Sequence, residues 1–171
     1  FAITASLAAG TATGNGTDTI TNVENLIGSN SGDNLTGDGN ANTLNGGAGE
    51  DTLTGGAGND SLNGGADNDT IFGGADSDTL TGGLGDDLLD GGADADDLSG
   101  GAGADTLYGG EGADSLSSGE GDDLLYGGAG NDTFSNSGGT DTIYGGDGLD
   151  VVVQTTGGGT SVLFDVEVEG T

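Results

Sequence analysis

The sequence predicts an all-β protein stacked from one short repeated unit, and three observations carry that prediction. A nine-residue frame runs from Gly28 to Val153 without insertion or deletion, giving fourteen consecutive copies. The eighth place of every copy is apolar: Leu35, Leu44, Leu53, Leu62, Ile71, Leu80, Leu89, Leu98, Leu107, Leu116, Leu125, Phe134, Ile143 and Val152. The sixth place is Asp in thirteen copies and Asn42 in the other. A unit this short cannot close on itself, so its apolar side chain is buried only by stacking on neighbouring units, as in a solenoid.

Composition narrows the chemistry by exclusion. A chain of 171 residues is within the range of one domain. With 42 Gly, no Pro, Cys, Met or Trp, and only three Tyr and four Phe, it cannot build an ordinary core. Low hydrophobicity with high net charge normally leaves a chain disordered. Thirty acidic residues face no Lys, Arg or His, for a net charge of -30, so a compact state repels itself. Strict periodicity argues instead that a cation from outside the chain completes the fold. Carboxylates and carbonyls suit a hard ion such as calcium, which takes about six to eight oxygens. Zinc and copper sites draw on His and Cys, and neither is present. A surface without Lys or Arg excludes nucleic acid and, by the same sign, an anionic membrane. The glycine-rich turns lack the Lys and helix start of a phosphate cradle. No signal peptide, membrane-spanning run or initiator Met is found, and the start at Phe1 suggests a piece of a longer protein. The absence of cysteine fits a bacterial exoprotein.

Written out, the unit is Gly-Gly-x-Gly-x-Asp-x-apolar-x. Full GGxGxD matches stand at 46–51, 55–60, 82–87, 100–105, 109–114, 127–132 and 145–150. Copies at 64–69, 73–78 and 91–96 put Asp67, Asp76 and Asp94 in place of the third glycine. GSNSGD, GDGNAN, SGEGDD and NSGGTD depart further but keep the phase. The pattern resembles the RTX, or hemolysin-type calcium-binding, nonapeptide repeat of bacterial secreted proteins. That resemblance implies a right-handed parallel β-roll with two nonapeptides per 18-residue turn. Here this means about seven turns, or roughly 34 Å at a strand spacing of about 4.8 Å.

Residues 1–27 are expected to be a lead-in: Ile3, Ala5, Leu7 and Ala9 alternate with polar or small residues and predict a strand. Leu26 stands nine residues before Leu35, so the apolar ladder begins one step ahead of the glycines. Within residues 28–153, glycine at the first, second and fourth places predicts a tight turn with backbone angles that a Cβ opposes. Asp67, Asp76 and Asp94 fit the fourth place because Asp tolerates the left-handed region. The last three residues of each unit predict a very short strand whose middle side chain faces the core. At the ninth place Phe72, Tyr108, Tyr126 and Tyr144 share one 18-residue phase, interrupted by Asp90. The intervening places hold Asn63, Thr81, Ser99, Ser117 and Ser135, so the two sheet faces differ. Leu88 and Leu124 join the aromatic face. Residues 154–171 predict a capping strand with Val162, Phe164, Val166 and Val168 on one side and Asp165, Glu167 and Glu169 on the other.

The candidate metal ligands are Asp33, Asp51, Asp60, Asp69, Asp78, Asp87, Asp96, Asp105, Asp114, Asp123, Asp132, Asp141 and Asp150. Stacked carboxylates about 5 Å apart repel unless neutralised, which favours a metal over a purely turn-forming role. The resemblance implies one ion shared by aspartates eighteen apart, with carbonyls of the glycine turns completing its shell. It brings in Gly46, Gly49, Gly55, Gly58, Gly82, Gly85, Gly100, Gly103, Gly109, Gly112, Gly127 and Gly130, with Asp67, Asp76 and Asp94 at the variant turns. Asn42 offers only a neutral oxygen, so its site binds loosely or stays empty. In the doublets Asp86–Asp87, Asp96–Asp97 and Asp122–Asp123, one member reads as a ligand and the other as a solvated neighbour, not as a catalytic pair. The aromatic stripe reads as a cross-strand ladder, or as a docking face for another copy or a neighbouring domain. The hydroxyl-rich opposite face resembles ice-binding arrays, but Asp97 interrupts it. The functional expectation is a non-catalytic calcium-binding module of a larger secreted or cell-surface bacterial protein, of surface-layer or adhesin type. The alternative is an accessory domain of a type I-secreted enzyme or toxin. Both put the chain outside the cell, folding as it binds calcium.

Overall fold

The structure, a computed structural model, describes residues 1–14, 16–154 and 160–164. It is a parallel β-solenoid of about seven turns, matching a β-roll. From Asn25–Ile27 onward, successive strands alternate between an eleven-stranded and an eight-stranded sheet. Each strand pairs in parallel with the one eighteen residues away, as in the registers Leu44 with Leu62, Leu62 with Leu80, and Leu89 with Leu107. No helix occurs among the described residues, and so none long and apolar enough to cross a membrane.

The strands are longer than the three residues the pattern predicts. Most have six, as in Thr52–Ala57, Ser61–Ala66 and Thr106–Glu111. The glycine pair opening the next repeat stays in register across coils, Gly47 with Gly65 and Gly83 with Gly101, and so prolongs each strand. The apolar residue of every repeat points inward, and the two sheets close on a single file of side chains from Leu35 to Val152. Twelve of these side chains have essentially no solvent contact, Phe134 the largest. Each full burial is worth about 1.5–3 kcal/mol, and among the described residues this file is the hydrophobic core.

The two ends depart from the regular coil. The lead-in strand stops early at Thr4–Ser6, because the chain turns at Leu7–Gly10, where the Gly10 N–H donates to the Leu7 carbonyl and Gly10 adopts φ 66. Thr4–Ser6 sets Ala5 opposite Leu35, and two short antiparallel strands, Thr11–Thr13 and Thr17–Thr19, extend the same sheet. Asn25–Ile27 pairs Leu26 with Leu44, one step ahead of the glycine frame. At the other end Thr160–Phe164 pairs with Thr140–Asp147 after a step of twenty, Ile143 against Leu163. Leu163 packs on the core while Val162 and Phe164 face outward. Val166, Val168, Asp165, Glu167 and Glu169 lie outside the described residues.

The aromatic residues form a ladder on the outer face of the eleven-stranded sheet. Tyr108, Tyr126 and Tyr144 stack at 4.8 and 4.9 Å with ring planes within 6°. Phe164 continues the stack at 4.9 Å, a member hidden in the sequence by the twenty-residue step. Asp90 stands in register between Phe72 and Tyr108.

Candidate metal centre

Side chains alternate along extended backbone, so a residue two places before the buried apolar residue shares its inward direction. That residue is the sixth-place aspartate. All thirteen are buried, none more than 4 % exposed, which is unusual for a charged type. They form two ladders. One runs Asp33, Asp51, Asp69, Asp87, Asp105, Asp123, Asp141; the other begins at Asn42 and runs Asp60, Asp78, Asp96, Asp114, Asp132, Asp150.

Within each ladder the first carboxylate oxygen is occupied. Oδ1 accepts the backbone N–H of the ladder residue eighteen positions earlier, at 2.6 to 3.1 Å across twelve such bonds. The second oxygen is not. Oδ2 of Asp51, Asp60, Asp69, Asp78, Asp87, Asp96, Asp105, Asp114, Asp123, Asp132 and Asp150 is buried without a hydrogen-bond donor. Asp33 and Asp141 differ: Oδ2 of Asp33 accepts the Ser29 N–H, and Oδ2 of Asp141 accepts the Asn136 side-chain amide at 3.0 Å. Asn42 accepts the Asp38 N–H at 2.7 Å and leaves its own amide nitrogen unpartnered.

Burial pushes the carboxyls of Asp69, Asp96 and Asp105 up to about 7, and those of Asp78 and Asp132 up to about 6. Asp51, Asp60, Asp87, Asp114 and Asp123 are raised for the same first reason. The backbone N–H bond on Oδ1 opposes the rise in each, and for most a nearby carboxylate adds to it.

The glycines do two separate jobs. At the fourth place Gly49, Gly58, Gly85, Gly103, Gly112 and Gly130 adopt positive φ between 96 and 144°. Asp67, Asp76 and Asp94 at that place sit in the left-handed region at φ 71 to 75°. Asp67 and Asp76 also accept the N–H of Gly49 and Gly58, at 3.0 and 2.9 Å, from the coil before. The first-place glycines Gly46, Gly55, Gly82, Gly100, Gly109 and Gly127 do not have the positive φ the sequence suggested; the second-place glycines do. Their requirement is space. A Cβ on Gly100 would meet Oδ2 of Asp105 and stand 2.6 Å from the Ser118 carbonyl oxygen; on Gly55 it would meet Oδ2 of Asp60 and stand 2.7 Å from the Gly73 carbonyl oxygen. The missing side chain lets a carboxylate oxygen and the next coil's carbonyl oxygen converge on one spot.

Two of the three doublet partners, Asp86 and Asp122, are more than solvated neighbours, while Asp97 is exposed. Oδ1 of Asp86 accepts the Ala104 N–H at 2.8 Å, and Oδ1 of Asp122 accepts the Thr140 N–H at 2.7 Å. Asn68 and Asn131 bond Asp86 and Leu149 in the same way. Asp or Asn at the fifth place, at 68, 86, 122 and 131, each accepting the N–H eighteen residues on, is the signal that sequence reasoning passed over.

Converging oxygens, eleven of them buried carboxylate atoms without a donor, are what a hard cation requires. The model of the RTX calcium-binding nonapeptide repeat family, built on four copies, matches the chain in overlapping segments from residue 27 to residue 153. The chain belongs to that family. Its RTX repeats form a calcium-binding β-roll module, and the oxygen-only donor set fits that ion. No curated protein matches the chain.

Proposed function

We propose that the two aspartate ladders hold calcium between successive coils, and that the chain folds only as these positions fill. The observation that carries this reading is the set of eleven buried Oδ2 atoms with no donor, in a chain without a single Lys, Arg or His. Leaving one charged oxygen buried and unpaired costs several kcal/mol, and the chain holds no group able to relieve it. Bound calcium supplies the missing positive charge and accepts the orphan oxygens as ligands. The protein's own atoms do the positioning. The backbone N–H on Oδ1 fixes each carboxylate, and the first-place glycine keeps the space in front of Oδ2 open. No three acidic side chains converge among the described residues, so the turns contribute carbonyl oxygens to each ion. The fourth-place residues Gly49, Gly58, Gly85, Gly103, Gly112 and Gly130, with Asp67, Asp76 and Asp94, set the curvature of those turns.

Folding coupled to calcium binding favours a chain that folds where the ion is plentiful, outside the cell. We assign the module a non-catalytic, structural role in a larger secreted or cell-surface protein of surface-layer or adhesin type. The exposed rings of Phe72, Tyr108 and Tyr144, with Tyr126 half-buried in the same ladder, support lateral contact with neighbouring domains or other copies. Circular dichroism during calcium titration, with magnesium as control, tests the core of this reading. The β signal is expected to rise with calcium only, and a full signal in excess chelator would overturn it.

A further inference from the structure

We infer that Asn136 ends the calcium array: its side-chain amide takes the place of a cation at Asp141, so this rung is held by protein alone. The inference rests on the reading of the ladders just given. Asn136 occupies the first place of its repeat, where ten of the fourteen copies in the frame open with Gly-Gly. A side chain at this place points at the carboxylate of its own repeat, as the Cβ positions built on Gly100 and Gly127 do. In most copies that direction must stay empty for Oδ2. Here it is filled by a hydrogen-bond donor. Asn136 Nδ2 donates to Oδ2 of Asp141 at 3.0 Å and lies 2.6 Å from the Ser161 hydroxyl oxygen. Oδ1 of Asp141 accepts the Asp123 N–H at 3.1 Å. Asp141 is fully buried with both oxygens satisfied, whereas Asp132 and Asp150 on the other ladder each keep an orphan Oδ2 at the same end of the roll.

The opposite end of the same ladder is built on the same plan. Asp33 takes the Ile3 N–H on Oδ1 at 2.6 Å and the Ser29 N–H on Oδ2. The Ile3 bond comes from the lead-in, outside the repeats, and the Ser29 bond from the second place of Asp33's own repeat. One ladder is therefore closed at each end by protein donors, and its open rungs lie between. Asn136 also ties this closure to Thr160–Phe164, since Ser161 pairs with Asp141 in the sheet register.

Counting bound calcium per chain by equilibrium dialysis or native mass spectrometry tests the assignment on the 171-residue chain. Asp141→Asn keeps the acceptor for the Asp123 N–H, and Asn136 can turn its amide over to face the new one. This variant is expected to bind the wild-type number of ions, whereas Asp105→Asn loses at least one. Should Asp141→Asn fold too poorly to count, Asn136→Asp runs the test in the opposite sense. It sets a second carboxylate against Asp141, and the count is expected to rise by one; an unchanged count in the folded variant overturns the assignment. A wild type that binds calcium but loses it in Asp141→Asn as in Asp105→Asn sinks the role of Asn136 alone. A wild type that binds none sinks the reading of the ladders and the assignment with it.

Discussion

The coils from Gly46 to Asp132 and the coils at either end bury the same residue type and treat it differently. In the central stretch every sixth-place carboxylate has one oxygen on a backbone N–H and one with no donor. At Asp33 and Asp141 the second oxygen meets a serine N–H or an asparagine amide. The apolar file is common to both regions, so packing alone does not separate them. What separates them is where the counter-charge comes from. The middle draws it from solution, whereas one ladder supplies hydrogen-bond donors of its own at its two ends, Asp33 and Asp141; Asp150, at the end of the other ladder, keeps an orphan Oδ2 like the middle.

Removing calcium is the largest perturbation of that contrast. Amide protection across 46–132 is expected to vanish in chelator, read by hydrogen exchange, because no coil there can keep its carboxylates ionised and buried. Protection that persists across this block would erase the distinction between middle and ends. Protons should substitute in part for the metal. The folded-state values of Asp69, Asp96 and Asp105 are raised to about 7 from 3.8. Between those limits the folded chain binds protons that the unfolded chain has released, so metal-free stability falls as pH rises and is regained as pH falls. In chelator the β signal is therefore expected to grow from pH 8 down to pH 5, and a flat response would contradict it. With calcium present the dependence reverses, since protons and metal compete for the same oxygens.

Leu107 and Leu163 compare the apolar file at the middle and the end. Leu107 has no exposure, and Leu163 packs against the file from a half-buried position. In calcium-saturated protein, Leu107→Ala is expected to cost about 2–5 kcal/mol and Leu163→Ala about 1 kcal/mol, measured by denaturant unfolding. Equal costs would mean that the last described strand is as integral as the centre. Gly100→Ala probes the space in front of the carboxylate. Its Cβ would collide with Oδ2 of Asp105 and the Ser118 carbonyl, at about 1–3 kcal/mol and with weaker calcium binding. Ser118 already carries a side chain at the equivalent place, so Ser118→Gly is expected to strengthen binding there.

The regular part of this molecule was legible because one period governs everything in it. Leu at the eighth place and Asp at the sixth, two residues apart, must share a face, and an 18-residue phase in Phe72, Tyr108, Tyr126 and Tyr144 separated the two sheets. The parts that were missed are those where two neighbouring coils decide together. A glycine in the first place looks like a backbone requirement until the carboxylate in front of it is seen. Asp86 and Asp122 look solvated until the N–H groups of Ala104 and Thr140 arrive from the next turn. Phe164 lay out of phase by two residues, and the antiparallel strands Thr11–Thr13 and Thr17–Thr19 carry too few apolar residues to announce themselves.

The smallest effects are expected on the outer faces, where the two sheets differ most in composition and least in consequence. Tyr126 stacks between Tyr108 and Tyr144, and each such cross-strand pair contributes about 0.2–1 kcal/mol. Tyr126→Ser should cost about 1 kcal/mol in calcium-saturated unfolding, while Ser117→Ala on the other sheet should stay within about 0.5 kcal/mol. The sharper variant is Asp90→Tyr. Asp90 breaks the ladder between Phe72 and Tyr108, and burial raises its carboxyl. Replacing it removes a half-buried acid and joins two aromatic segments, so the midpoint should rise. A fall would mean that the ring stack is a by-product of register and that the acid at this rung has a partner of its own.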